Sequence, residues 1–383
     1  MTAAVRKAGS RQLWRGLDRT TVFTVFALIA IGLTLSLAAS PAAAERLRIA
    51  DPFYFLYRHC FFVGVSVIVL MGTAALSVRG VRRIAGLALI GSFIGLMLVP
   101  LIGHEVNGAQ RWLRFAGMSL QPSEFLKPAF IIITAWLFAE ESRGAPVPGR
   151  LIAFGIFGAA CAFLITQPDF GQTVLLTLIF GAMLWAGGLR WIYTVPLAGI
   201  AVGGGVAAYV MLGHVRARLM AFLNPPTVEG RTQTETALEA ISRGGVTGVG
   251  PGEGEVKRLL PEAHTDFVFS VAVEEFGLIA SVAIIGLFLI LFARAWMNAM
   301  KLTDHFSQMA TCGLALLFGL QAMINIAVNL NLVPAKGMTL PFVSSGGSSM
   351  IALAFSAGLL LALTRRRPGA YERQSVQHVT APV

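Results

Sequence analysis

Leu260-Pro-Glu-Ala-His-Thr-Asp-Phe-Val-Phe-Ser-Val-Ala-Val-Glu-Glu-Phe-Gly277 leads directly into an apolar run that continues to residue 293. Carboxylates, a histidine and a hydroxyl thus stand at the mouth of a segment long enough to cross a bilayer. An acidic side chain drawn to mid-bilayer depth costs about 2.5–3.5 kcal/mol. Asp266 is therefore expected at a membrane interface or on the wall of a wet cavity, and both positions suit a catalytic or a transport carboxylate.

The rest of the chain repeats the alternation. Of its 383 residues 56% are hydrophobic and only 13% charged, and the charges collect between apolar runs. Such runs lie at 21–39, 59–77, 84–102, 125–139, 151–165, 173–186, 192–212, 271–293, 309–330 and 348–363. Most approach the roughly 20 residues of a spanning helix. The prediction is an all-α polytopic membrane protein with about ten transmembrane helices and one large outward-facing loop, 213–270, between helices 7 and 8. The N-terminal run, with its basic flank and Ala42-Ala43-Ala44, imitates a cleavable signal, but it exceeds the roughly 7–15 apolar residues of one and reads as an uncleaved first helix. An even number of spans puts both termini on one side. Arg79, Arg82, Arg83, Arg143, Arg150, Arg190, Arg294, Lys301 and the tail arginines mark that side as cytoplasmic. The divisions expected are a tail at 1–20, a membrane domain at 21–364 and a tail at 365–383.

A net charge of +11 would suit nucleic acid, but no basic block alternates with aromatics, and positive-inside topology with anionic membrane lipid accounts for it. Cys60, Cys161 and Cys312 each fall in or beside an apolar run, which excludes a disulfide framework and a paired zinc site and makes them small buried hydrophobes. The six histidines have no ligand spacing, and no Gly-x-Ser-x-Gly elbow or Asp-x-Asp pair occurs.

Several outward stretches depart from short polar turns. In 107–127, Arg111 and Arg114 flank Trp112 at the headgroup level, while Glu124 and Lys127 stand at i, i+3 and can neutralise each other in the membrane. Gln167-Pro-Asp-Phe-Gly171 reads as a tight reversal with Asp169 at its tip. The loop 213–270 carries amphipathic patterns at 214–223 and 234–242, expected to lie on the membrane, then a flexible glycine arm from Gly244 to Gly254. No Gly-Lys-Ser/Thr follows those glycines, so they are not a nucleotide-binding loop. Lys257 and Arg258 follow instead, two cations suited to a pyrophosphate. In 329–349, two prolines and three glycines demand irregular backbone that is buried in protein or lines water. Ser348 and Ser349 then open the last helix, where free N–H groups attract anions.

Taken together, Arg111-Trp112, Gln121-Pro-Ser-Glu124, Gln167-Pro-Asp-Phe-Gly171, Leu260-Pro-Glu-Ala-His-Thr-Asp266 and the run from Lys336-Gly to Gly346-Gly-Ser-Ser349 resemble the SEDS family of bacterial wall proteins over nearly the whole chain. Val328-Asn329 and Lys336-Gly337 before Met338-Thr-Leu-Pro341 resemble its division branch more than its elongation branch. Ser345 departs from the tyrosine usual before Gly-Gly-Ser-Ser. The resemblance implies a multi-pass inner-membrane protein at the division septum that polymerises lipid II into glycan strands, beside a class B penicillin-binding protein and other division proteins. The family's essential acidic residue falls on Asp266, the residue already singled out by position. In an inverting transfer its carboxylate would be the general base. Arg111, Lys257, Arg258 and Lys336 would face the departing pyrophosphate, with Glu124, Lys127, His264 and Ser348 as further substrate-binding candidates. A divalent cation, magnesium or manganese, would be an additional source of positive charge, although no ligand cluster fixes one. The rival readings are a lipid II flippase with a polar path through Glu124, Lys127, Asp169 and Glu274, and a non-catalytic division scaffold.

Overall fold

The computed structural model describes residues 16–106, 109–115, 118–188, 191–211, 213–223, 232–334 and 337–365. Most of the N-terminal tail and nearly all of the C-terminal tail lie outside these residues. The helices are α1 (Arg19–Arg46), α2 (Tyr54–Ala74), α3 (Val78–Ile102), α4 (Pro122–Ser142), α5 (Gly149–Thr166), α6 (Phe170–Ala186), α7 (Trp191–Met211), α8 (Gly213–Leu223), α9 (Gln233–Gly244), α10 (Val268–Met300), α11 (His305–Asn329) and α12 (Gly347–Thr364). Eight of them, α1–α5 and α10–α12, are long and apolar enough to cross a membrane. With the shorter apolar α6 and the apolar α7, they occupy the ten runs read from the sequence.

The helix starts follow from local chemistry. Asp18 caps α1 by accepting from the Thr21 N–H at 3.1 Å, Ser77 caps α3 through Gly80, and Asp304 caps α11 through Ser307. Pro122 occupies the first turn of α4, where its missing N–H costs nothing. Helices α4 and α12 form the centre of the bundle and are buried on nearly all sides. Lipid supplies little hydrophobic drive between helices, so close approach must come from small residues. Gly358 supplies it where α12 packs on α2: a Cβ there would stand 1.7 Å from Thr73 Oγ1. Cys312 is buried and Cys161 partly so, whereas Cys60 is exposed on α2, contrary to its expected burial, because its turn of helix faces away from the bundle.

Between α3 and α4 the chain forms a small antiparallel sheet, β1 (His104–Val106), β2 (Ala109–Phe115) and β3 (Met118–Leu120), in that order. This small sheet is added to the helical bundle in a stretch that the sequence presents as an interfacial Arg-Trp-Leu-Arg anchor. It holds Trp112 opposite His104 and Leu113 opposite Leu120, and so fixes Arg111 and Arg114 on a rigid ribbon.

The loop 213–270 also differs from its reading. Helix α9, closed at its start by a Thr232–Glu235 capping box, buries Ala237 and Ala240 in a cluster with Val256, Leu260, Phe267 and Val271. Its apolar face is covered by protein, not by a membrane surface. The glycine arm that follows is clamped. Val249 and Gly250 donate to the carbonyls of Glu274 and Glu275 at 2.9 and 3.1 Å, and Leu278 donates to that of Gly245 at 3.0 Å. These strand-like exchanges are possible because α10 breaks at Gly277 (φ 69°, ψ −163°), which frees carbonyls that a continuous helix would use. A Cβ at Gly244 would stand 1.9 Å from the Val273 carbonyl oxygen, and one at Gly248 would stand 2.1 Å from that of Glu275. Gly244 and Gly248 allow this close approach, and the arm is a fixed strut.

Candidate active site

A cavity of about 1000 Å³ opens at the end of the bundle where α1 finishes and α2 and α12 begin. Its wall includes the ribbon residues Arg111, Trp112 and Arg114, the segment Leu260–Phe267, the residues Gly337–Thr339 and the first turn of α12. Asp266, Glu262, His264, Glu124 and Arg111 converge on it from separate stretches of sequence.

Asp266 is held through its backbone. Its carbonyl accepts from Asn325 Nδ2 at 2.9 Å and from Asn329 Nδ2 at 3.1 Å, both on α11. Its carboxylate faces the cavity near Arg111. A Cβ at Gly337 would lie 3.7 Å from Asp266 Oδ2 and 3.8 Å from Arg111 Nη1, so a glycine here leaves the acid and the guanidinium open to each other. Burial, with Glu262, Glu124 and Asp169 nearby, pushes the Asp266 carboxyl up to about 7, against the pull of Arg111. Glu262 adopts a left-handed backbone (φ 59°), and its Oε2 accepts from Thr265 Oγ1 at 2.7 Å. That conformation is strained for a residue with a Cβ and marks a place where the chain accepts cost for position.

Arg111 braces the reversal between α5 and α6. Its Nε donates to the Gln167 carbonyl at 3.0 Å, Nη2 donates to that of Pro168, and Nη1 stands 3.7 Å from Asp169 Oδ1. Asp169 also accepts from Gln121 Nε2 at 3.1 Å. Burial raises the Asp169 carboxyl despite Arg111. Glu124 and Lys127 form the expected pair at 2.9 Å, extended by Gln321 on Lys127 and Gln172 on Glu124. Glu124 lines the cavity, whereas Lys127 is committed within the bundle.

Three cation and hydroxyl assignments are corrected. Lys257 borders the cavity but is buried, and its ammonium spends its three protons on the carbonyls of Ala38 and Gly252 and on the Glu275 carboxylate, which leaves none for a pyrophosphate. Arg258 is exposed on the short 3₁₀ turn Val256–Arg258, and its side chain is not part of the cavity wall. The Ser348 hydroxyl accepts the Gln121 N–H at 3.2 Å, and Ser349 is the neighbour that reaches the wall. Lys336 lies outside the described residues. Glu274, named for a polar path, accepts the N–H groups of Val256 and Lys257 with its two oxygens at 2.8 and 3.0 Å. Ser345, in place of tyrosine, donates its hydroxyl to the His264 carbonyl at 2.6 Å.

Arg46 and Arg58 also line the cavity and went unnoticed in the sequence. Arg46, with Arg48 two positions on, and Arg58 stand near helix ends, a pattern that normally signals anchoring. Their place on the side opposite the basic loops is the signal that could have found them. Among the described residues, no three His, Cys, Asp or Glu side chains converge as metal ligands.

The family model described as "Cell cycle protein", covering FtsW, RodA and SpoVE, matches residues 19–368. The chain belongs to this family. A probable peptidoglycan glycosyltransferase FtsW of Caulobacter vibrioides is 49% identical over 358 residues, covering 94% of this chain and 92% of the relative. The FtsW relative of Trichlorobacter lovleyi is 37% identical over 356 residues, covering 90% and 92%. Among solved structures, a chain from work on the structural coordination of polymerization and crosslinking by a peptidoglycan synthase complex matches with a TM-score of 0.75 at 27% identity, covering 91% of this chain and 97% of the other. Thermus thermophilus RodA matches with a TM-score of 0.68 at 26% identity, covering 92% and 99%. The eight membrane-length helices among the described residues are thus those of a multi-pass bacterial membrane protein of the FtsW/RodA/SpoVE family.

Proposed function

We propose that this chain is a peptidoglycan glycosyltransferase that polymerises lipid II into glycan strands during cell division. The observation that carries the reading is the placement of Asp266: a carboxylate at the wall of a cavity, desolvated enough to hold a proton near neutral pH, beside a guanidinium and open to a ligand. In the reaction, the 4-hydroxyl of the acceptor sugar attacks the anomeric carbon of the donor, and the bond to the lipid pyrophosphate breaks. Asp266 takes the hydroxyl proton, and one inverting displacement converts the α-linked donor into a β-linked product. Arg111 and Arg114 on the ribbon, with Arg46 and Arg58 across the cavity, supply positive charge for the pyrophosphates without reorganising at the moment of reaction.

The cavity faces the periplasm in this reading, both termini are cytoplasmic, and the protein works at the septum beside a class B penicillin-binding protein. The relatives' activity, together with the structural likeness to a peptidoglycan synthase complex, supports this assignment. The test is purified full-length protein with labelled lipid II in detergent, where a flippase or a scaffold leaves the substrate unchanged. Asp266→Asn should stay folded and lose about 10²–10⁴-fold in polymerisation rate. Polymer at the wild-type rate from that variant would remove Asp266 as the base.

A further inference from the structure

Three consecutive carbonyls lead up to and include the residue that carries the carboxylate, and each is held by a side chain from far along the chain. Ser345 donates both its N–H, at 3.0 Å, and its hydroxyl, at 2.6 Å, to the carbonyl of His264. Ser344 Oγ donates to Thr265 at 2.6 Å and itself accepts the N–H of Leu340 at 2.8 Å. Asn325 and Asn329 together hold the carbonyl of Asp266. The two asparagines do further work. Asn325 Nδ2 also donates to Met338 at 2.6 Å, tying Asp266 to the segment that begins at Gly337. The Oδ1 of Asn329 accepts from both N–H and hydroxyl of Ser270, so the start of α10 is fixed by the same side chain. Both asparagines are at most 1% exposed, on a largely apolar helix whose buried polar residues also include Gln321 one turn earlier.

A turn of chain could satisfy its carbonyls with water at the cavity wall. Here side-chain donors do so, and buried donors of this kind set position, because moving the turn leaves both partners unpaired. Asn325 is the central member, since one amide spans the carboxylate-bearing turn and the opposite wall segment.

We propose that Asn325 is a positioning residue for the transfer reaction: by gripping the carbonyls of Asp266 and Met338 together, it sets the reach of the Asp266 carboxylate toward the acceptor hydroxyl, while Ser344, Ser345 and Asn329 hold the turn on either side. The proposal rests on the reading of Asp266 as the base. It predicts loss of rate with substrate binding retained, because Asn325 itself is buried behind the turn and does not line the cavity.

The experiment compares purified full-length wild type, Asn325→Ala, Asn325→Ser and Asp266→Asn on labelled lipid II, with kcat, KM and the pH midpoint of kcat/KM measured for each active form. A misplacement of about 1 Å can cost on the order of 100-fold. Asn325→Ala should therefore lower kcat about 10- to 100-fold with KM within about twofold. Asn325→Ser, which keeps one hydroxyl donor, should fall between it and wild type. The midpoint should also move down from near 7, as the freed carboxylate swings toward solvent. Glu262, Arg111, Glu124 and Asp169 are the charged groups that face it, and none of them is altered in this comparison. Wild-type kcat and midpoint in Asn325→Ala, with Asp266→Asn inactive, would overturn the positioning role and leave the base in place. A raised KM with an unmoved midpoint would also overturn it, since that marks a substrate contact. Failure of both Asn325 variants to fold would show the amide to be a folding element only. Full activity of Asp266→Asn would instead remove the base itself, an outcome distinct from the other three.

Discussion

Arg111 on the β-ribbon and the buried Asp169 at the start of α6 meet at 3.7 Å, while the same guanidinium takes the carbonyls of Gln167 and Pro168. One side chain thus joins the ribbon to the reversal between α5 and α6, and it remains beside Asp266. Arg111→Lys keeps the charge but loses the fork that serves two carbonyls and a carboxylate at once. Breaking a buried pair costs about 3–5 kcal/mol because the remaining charge is stranded. With Arg111 only partly buried, Arg111→Ala should approach the lower end of that range. A detergent-solubilised thermal unfolding series should therefore rank wild type above Arg111→Lys above Arg111→Ala, and equal midpoints would refute the brace.

The Asp266 carboxyl gives opposite signs for rate and stability. As a base it must be ionised, so activity should rise with pH to a half-point near 7, well above that of an ordinary carboxylate. For stability, the folded protein keeps a proton between about 3.8 and 7 that the unfolded chain has released. Stability falls as pH rises through that window, and the full penalty applies above it. Asp266→Asn, which cannot ionise, should melt higher than wild type at pH 8, with the difference vanishing below about pH 4. Glu262→Gln removes a charge that raises the carboxyl and should shift the activity half-point downward. Identical half-points in wild type and Glu262→Gln would separate the two carboxylates electrostatically.

The clamped glycine arm predicts strongly unequal costs for glycine substitutions. Gly248→Ala puts a Cβ 2.1 Å from a carbonyl oxygen at φ +84°, so the strut must come off α10. Gly252→Ala meets nothing within 4 Å and bears only the conformational strain of φ +85°, about 1 kcal/mol. Hydrogen exchange reads this directly. The N–H groups of Val249 and Gly250 should be protected in wild type and in Gly252→Ala, and exchange freely in Gly248→Ala. Fast exchange in wild type would restore the flexible arm that composition alone suggests.

Sidedness is tested by thiol labelling of intact cells with an impermeant reagent, in a background without Cys60. Val246→Cys, exposed in the loop beside the strut, should react, and Val147→Cys, exposed between α4 and α5, should not. The reverse pattern would place the cavity on the cytoplasmic side.

The eight membrane-length helices of the described residues were legible because length and apolarity decide them, and the Glu124–Lys127 pair because i, i+3 spacing does. Asp266 was legible from its place at the mouth of an apolar run. The β-ribbon was not, since its outer strands have three residues each and its central one reads as an interfacial Arg-Trp-Leu-Arg anchor. Lys257 was misassigned because its partner, Glu275, lies 18 residues away beyond a turn and inside the next helix. Composition made the glycine arm look loose. Its order comes from carbonyls released by the break at Gly277, and only the three-dimensional path shows where those carbonyls point. The role of Asn325 was hidden for the same reason: a polar residue in an apolar helix shows that a partner exists, without saying which.

The grip on the carbonyls of His264, Thr265 and Asp266 comes from residues 325–345, which leave the ribosome after α10. A nascent chain that has inserted only its first helices carries Asp266 on an unsupported turn, with neither Asn325 nor the two serines yet made. The order of synthesis therefore withholds that grip until α11 and the segment after it, through Ser345, have been made. A chain broken off before that point would occupy the bilayer without assembling the centre.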